Sequence, residues 1–175
     1  MYVIGITGGV GAGKSAVLSI LSECVECEII RADDVANRLK LKGQPCFQKI
    51  VDLLGEQILG SDGEIDRSLM SMIVFEDDAK MKQVEQILHP QVKRYITETI
   101  EQKKREGKIK YLFIEAALLI EDGYRQICDE FWYIYASVAT RTKRLMANRG
   151  YTLQKIESIM DKQLSEEEFL KNCEC

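Results

Sequence analysis

Gly8, Gly9, Val10, Gly11, Ala12, Gly13, Lys14 and Ser15 form one uninterrupted stretch near the start of the chain. Gly8, Gly13, Lys14 and Ser15 fill the spacing G-x-x-x-x-G-K-[ST], a phosphate-binding loop. A triphosphate needs many donors close to its oxygens. Glycines let backbone N–H groups approach with no Cβ in the way. The helix read from the apolar spacing of Ala16-Val17-Leu18-Ser19-Ile20-Leu21 adds a partial positive charge at its N-terminus, beneath the loop. Lys14 supplies a point charge for the β- and γ-phosphates. The Ser15 hydroxyl is placed to meet Mg²⁺. These residues predict a site for a nucleoside triphosphate and Mg²⁺.

A phosphoryl transfer would also need a group at the accepting hydroxyl. Asp33 follows a short apolar run, where a carboxylate could accept the hydroxyl proton or orient Mg²⁺. Asp also suits the N-cap of the next helix, so both roles stand. Asp34 reads as a first-turn partner of that helix dipole. Arg141, Arg144 and Arg149, with Lys143 among them, read as a solvated face or as a lid bringing guanidinium groups to the transferring phosphate. Arg141 and Arg144 share a face at i,i+3. Glu115 ends a buried strand, a place for a metal-directed acid. Glu121 follows Leu118-Leu119-Ile120, and either acid could be structural. His89, alone, reads as a helix-boundary residue.

Two other chemistries have partial signals. Cys24-Val25-Glu26-Cys27 matches C-x-x-C, and Cys173 and Cys175 add two thiols, so a zinc site is conceivable. With one histidine and no second well-spaced C-x-x-C, the six cysteines read as small hydrophobes with free thiols. Asp52-Leu53-Leu54-Gly55 fits the D-x-x-G of guanine-specific switch proteins. It lies in a helical pattern, and no N-K-x-D exists in the chain.

The elements that must position these residues follow from periodicity. Residues 2–7 are apolar and rich in β-formers, and a helix runs from the loop to about Glu23. Cys27–Arg31 is a second strand. A helix opens at Asp33-Asp34 and runs to about Leu41, and Phe47–Leu54 is another. Ser61-Asp62-Gly63 is a turn. Two short helices are expected at 66–75 and 78–88. His89-Pro90 then punctuates, with Pro90 in the first turn of a new helix that ends at Gly107. Residues 109–115 and 130–135 read as the third and fourth strands, and 139–149, 152–163 and 165–172 as helices.

Buried strands separated by helices imply a mostly parallel sheet. The gap between strands two and three holds about 75 residues of helix, too long for one crossover, and reads as a separate lobe. The fold class is α/β: a parallel-sheet P-loop NTPase core with an inserted helical substrate lobe and a helical lid. The core covers about 1–33 and 107–139, the lobe about 34–106 and the lid about 140–163.

The chain has 175 residues, 46% apolar and 30% charged, enough for one P-loop domain with an inserted lobe. Its net charge of -4 argues against a general affinity for nucleic acid or anionic membranes. Any basic patch must be local and aimed at a small anion. No run of 18 or more apolar residues exists, and the N-terminus reads as a strand, not a signal peptide. A cytoplasmic protein is expected.

The chain resembles the bacterial dephospho-CoA kinases from Gly5 to its last residues. The anchors are Gly5-Ile6-Thr7-Gly8-Gly9-Val10-Gly11-Ala12-Gly13-Lys14-Ser15, Ala32-Asp33, Leu88-His89-Pro90, Leu118-Leu119-Ile120-Glu121, Lys143-Arg144-Leu145 with Arg149, and Gln163. The resemblance implies transfer of the ATP γ-phosphate to the ribose 3′-hydroxyl of dephospho-CoA, the last step of CoA synthesis. It implies Lys14, Asp33 and Arg144 as catalytic residues, with Asp33 the base and Arg144 the lid arginine. It adds Arg149 to the ATP site and puts His89 and Glu121 with Asp33 on the acceptor side.

The chain departs from the family at Arg31, where Asp is common, at Ala117, where the family has Pro, and at Ile159, often Arg. The family continues with a V-I-D-N strand and a closing helix, so this chain is expected to be truncated at Cys175. Another small-molecule P-loop kinase and a nucleotide-binding regulatory module without turnover are the alternatives. Lys14 and Asp33 together favour the kinase.

Overall fold

The computed structural model describes residues 1–175. Its strands are β1 (Tyr2–Thr7), β2 (Cys27–Arg31), β3 (Tyr111–Glu115) and β4 (Glu130–Tyr133). They form one parallel sheet in the order β2-β3-β1-β4. Residues 3–7 of β1 are all buried, as expected of a central parallel strand covered on both faces. Ile4 and Ile6 pack on one face with Phe113 of β3 and with Leu18 of α1 (Lys14–Cys24). On the other face a Cβ at Gly5 would lie 2.7 Å from the Phe131 ring. Glycine there is what lets β4 close against β1.

The chain divides into two compact units, residues 1–31 with 102–175, and residues 32–101. The first unit carries the sheet and α1. It also carries α6 (Val138–Arg149), α7 (Leu153–Met160) and α8 (Glu166–Asn172). The second unit is helical: α2 (Ala32–Leu39), α3 (Phe47–Leu54), α4 (Arg67–Phe75) and most of α5 (Asp78–Glu106). Asp66 caps α4, its carboxylate accepting the Ser68 and Leu69 N–H groups at 2.7 and 3.0 Å. No helix is long and apolar enough to cross a membrane.

The expected break at His89-Pro90 does not occur. α5 runs 29 residues through Pro90. An interior proline costs a helix about 3 kcal/mol, through a lost hydrogen bond and a clash with the preceding turn. Here Val84, Leu88, Val92, Ile96 and Ile100 repeat every fourth residue and are all buried. Each such side chain contributes about 1.5–3 kcal/mol on burial, so one continuous face outweighs one proline. Pro90 itself is exposed, off that face. Smaller differences lie at element ends. α2 starts at Ala32, which puts Asp33 in its first turn and not at a cap. β4 ends at Tyr133, two residues short of the expected Tyr135.

β4 is an edge strand, and the last residues of the chain cover it. Glu174 N–H donates to the Phe131 carbonyl at 3.0 Å, and Tyr133 N–H donates to the Cys175 carbonyl at 2.6 Å. The Glu174 carboxylate accepts the Phe131 N–H at 2.8 Å and pairs with the Arg125 guanidinium. Phe169 of α8 stacks on Tyr133 with ring centroids 4.6 Å apart. Such cover removes an open row of backbone donors and acceptors.

Arg125 and the Phe131 N–H hold the Glu174 carboxyl well below its ordinary 4.5, at about 2. A carboxyl with a depressed folded-state pKa contributes stability above its unfolded pKa and loses it as pH falls toward the folded value. Glu174→Gln should therefore lower the melting temperature at neutral pH. The gap to the parent protein should close between pH 4.5 and about pH 2. Thermal melts of both proteins across that range check this, and a gap independent of pH would contradict it.

Candidate active site

β1 delivers the chain into the loop at Gly8. There the loop passes so close to the segment after β4 that a Cβ would lie 2.5 Å from the Ile134 carbonyl oxygen. Ile134 N–H in turn donates to the Thr7 carbonyl at 2.9 Å. Gly13 precedes α1 with φ 111, a left-handed conformation that glycine adopts at little cost. The loop is thus pinned at both ends where side chains other than hydrogen are excluded. Ala12 N–H donates to the Gly9 carbonyl at 3.1 Å, which tightens its middle.

α1 opens with Lys14 and Ser15 and has no acidic residue in its first turn. The positive end of its dipole is not neutralised there, and its first N–H groups lack helical partners. The Lys14 ammonium donates to the Gly8 carbonyl at 2.8 Å and reaches the Gly9 carbonyl at 3.4 Å. Its charge therefore lies over the loop. Ser15 and Ala16 are exposed at the helix start. Thr7, at the end of β1, is 1% exposed, and its hydroxyl has no hydrogen-bond partner.

α6 brings two arginines onto the same loop. Arg141 Nε donates to the Val10 carbonyl at 3.0 Å, and its Nη2 donates to Gln163 Oε1 at 2.9 Å. Gln163 Oε1 also accepts the Val10 N–H at 3.1 Å. Arg144 Nη1 donates to the Ala12 carbonyl at 2.8 Å and to Gly11 at 3.3 Å. A Cβ on Gly9 would lie 2.4 Å from the Arg141 guanidinium carbon. Ser137 caps α6 by accepting the Thr140 N–H, and Gly150 ends it with φ 62. Arg149, at the far end of that helix, holds its guanidinium 6.0 Å from the Tyr151 ring.

Lys14, Arg141 and Arg144 thus converge on five consecutive residues, Gly8 to Ala12. Arg141 and Gln163 stand out in the structure in a way the sequence analysis did not rank. The i,i+3 spacing of Arg141 and Arg144 was the available signal. The loop that each would meet was not legible from spacing.

The remaining candidates fall elsewhere. Glu115, at the end of β3, forms an ion pair with Arg31 Nε at 3.4 Å, side by side in the β2–β3 register. Glu121 is exposed in the turn after β3. In the helical unit, Asp33 sits in the first turn of α2, two residues beyond the end of β2, and His89 lies within α5. β1 is parallel to its neighbours β3 and β4, so the loop that follows it leaves the sheet at the carboxyl edge, where α/β proteins bind ligands. Cys24 is exposed, while Cys27 Sγ lies 3.7 Å from the Leu21 carbonyl. No group of three or more His, Cys, Asp or Glu is placed to hold a metal ion.

The sequence model of the family described as CoaE, dephospho-CoA kinase, matches residues 2–175. A dephospho-CoA kinase of Carboxydothermus hydrogenoformans is 35% identical over 169 residues, covering 97% of this chain and 81% of that protein. A crystal structure titled TT1252 from Thermus thermophilus superposes with a TM-score of 0.81 at 27% identity, covering 98% of this chain and 85% of the other. A dephospho-CoA kinase from Campylobacter jejuni superposes with a TM-score of 0.70 at 25% identity, with the same coverage. The phosphate loop, the parallel sheet and these matches together make the chain a member of the dephospho-CoA kinase family, ATP-dependent enzymes that phosphorylate dephospho-CoA to CoA in the last step of CoA biosynthesis.

Proposed function

We propose that this chain transfers the γ-phosphate of ATP to the ribose 3′-hydroxyl of dephospho-CoA, with Gly8–Ala16 as the phosphate cradle and Lys14, Asp33 and Arg144 as its catalytic residues. The observation that carries this is the convergence of one lysine and two arginines on the loop backbone between Gly8 and Ala12. In phosphoryl transfer, charge spreads over the transferring oxygens, and catalysis is mostly positioning and charge stabilisation. Lys14 holds a charge at the β/γ junction. Arg144 presents a planar fork at the cradle's rim, with Arg141 and Gln163 bracing the loop behind it. Asp33 takes the acceptor proton. Arg149, His89 and Glu121 are assigned to the outer parts of the ATP and acceptor sites.

The donor set fits Mg²⁺. The Ser15 hydroxyl is a hard oxygen, exposed at the helix start next to the cradle. When bound, the ion would neutralise charge on the β- and γ-phosphate oxygens. The helical unit is assigned to the acceptor and α6–α7 to a lid. Free thiols throughout fit the reducing cytoplasm.

The test is ADP release with alternative acceptors. Dephospho-CoA should exceed adenosine strongly in kcat/KM, because contacts to the remote part of the acceptor help to place the hydroxyl. Equal rates would point instead to another small-molecule kinase, and no ADP release with any acceptor to a regulatory module.

Lys14→Ala should lower kcat by about 10²–10³, the cost of losing one electrostatic stabiliser. Steady-state kinetics on a variant that melts normally decides this. Near-parent turnover would remove the loop lysine from the mechanism.

Asp33→Asn separates a base from a first-turn acid. As a dipole partner, Asp33 contributes about 0.3–1 kcal/mol of helix stability and nothing to rate. As the base, its loss should cost about 10²–10⁴ in kcat with normal folding. Asp34→Asn, the same change one residue on, should alter neither strongly. A stable Asp33→Asn protein with parent kcat would exclude the base role.

A further inference from the structure

Val10 stands between two glycines in the loop, and side chains from beyond β4 hold the peptide groups on both sides of it. Gln163 Oε1 accepts the Val10 N–H at 3.1 Å, and Arg141 Nε donates to the Val10 carbonyl at 3.0 Å. Arg141 Nη2 closes the ring of contacts by donating to Gln163 Oε1 at 2.9 Å. Gly9 and Gly11 would otherwise leave these two peptides loosely determined. Every peptide bond in the chain is trans. The C=O and N–H of a trans peptide point in opposite directions, so a bond that fixes one aims the other. The Gly9–Val10 peptide follows this rule. Its N–H goes out to Gln163, and its carbonyl points back into the loop, meeting the Ala12 N–H at 3.1 Å and the Lys14 ammonium at 3.4 Å. The Val10–Gly11 peptide is the reverse. Its carbonyl goes out to Arg141, which turns the Gly11 N–H inward, to the side on which the Lys14 ammonium lies.

Gly9 belongs to the same arrangement. The phosphate-loop spacing leaves its position open to any residue. Its φ is not left-handed, so a side chain there meets no backbone strain. It would meet Arg141 instead: a Cβ would lie 2.4 Å from the guanidinium carbon and 2.5 and 2.6 Å from its two terminal nitrogens. Glycine at 9 therefore makes room for the arginine. At Gly11 a Cβ would lie 3.0 Å from Leu145 Cγ and 3.1 Å from the Arg141 carbonyl oxygen, so the backbone that carries Arg141 is itself seated on the loop. We propose that Arg141 is a positioning residue for ATP: it locks the Val10–Gly11 peptide with the Gly11 N–H facing the phosphates, Gln163 braces it, and Gly9 provides its space. An N–H group aimed in advance needs no reorganisation when charge develops on the phosphate oxygens. The proposal rests on the reading of the loop as the ATP cradle. It gives Arg141 a task different from that of Arg144, which is assigned to the transferring phosphate.

The test is calorimetric titration of the full chain with ATP and, separately, with dephospho-CoA, alongside thermal melts of each variant without ligand. Arg141→Ala, Gln163→Met and Gly9→Ala should each weaken ATP about 10–100-fold, the loss of one amide bond to a charged phosphate. Gln163→Met and Gly9→Ala remove no charge, so a loss in those variants does not come from a missing cation. Dephospho-CoA affinity and melting temperature should stay near the parent's. On the Arg141→Ala background, Gly9→Ala should cost nothing further, because the guanidinium it would displace is already gone. Lys171→Gln removes an exposed cation from α8 and should leave both affinities unchanged. The assignment is overturned if Gly9→Ala and Gln163→Met bind ATP like the parent, or if Gly9→Ala weakens ATP equally on both backgrounds. It is overturned also if melting temperature and both affinities fall together, the mark of a merely structural role. If the parent itself does not bind ATP, the cradle reading fails and this proposal fails with it.

Discussion

The phosphate loop has to be made of backbone. Its N–H groups must come within hydrogen-bond reach of a ligand, so the chain between β1 and α1 cannot carry bulk where it approaches its neighbours. The same demand applies to the protein side of the loop. Gly8 lies against the Ile134 carbonyl with no room for a Cβ, and Gly5, three residues earlier, admits the Phe131 ring. Once these contacts are made, β4 has one register against β1, and the segment leading to α6 leaves the sheet at a defined point. The rest of the site depends on that placement.

The arginines of α6 show how. The Arg141 and Arg144 guanidinium groups hydrogen-bond different partners. One donates to Val10 and Gln163, the other to Gly11 and Ala12. Both donate to carbonyl oxygens of the loop. Gln163 ties the far end of the α6–α7 segment to the Val10 amide, so both ends of that segment meet the loop. Arg141 is half-buried and Arg144 is exposed, and backbone carbonyls of the loop hold both guanidinium groups in place.

Other polar pairs stabilise the frame. Arg31 and Glu115 neutralise each other at the ends of adjacent strands, and Lys103 at the end of α5 meets Glu28 of β2 at 2.6 Å. The first pair gives Glu115 a structural partner in a position that, by sequence alone, looked open to a metal-directed role. Burial raises the Cys128 thiol to about 12 and the Cys173 thiol to about 11, so both remain protonated and act as small apolar groups.

The local code of the chain determined what depends on neighbours in sequence. The glycine spacing and the lysine–serine pair specify the loop, because backbone conformation and helix start are local properties. The four strands and most helices followed from periodicity for the same reason. Proline at position 90 misled, since its local preference is to begin a helix. The structure sets against it five buried side chains that repeat every fourth residue across the break. Which arginine meets the loop and what neutralises Glu115 were decided only by tertiary structure. Each joins residues far apart in sequence, and long-range proximity leaves no spacing to read.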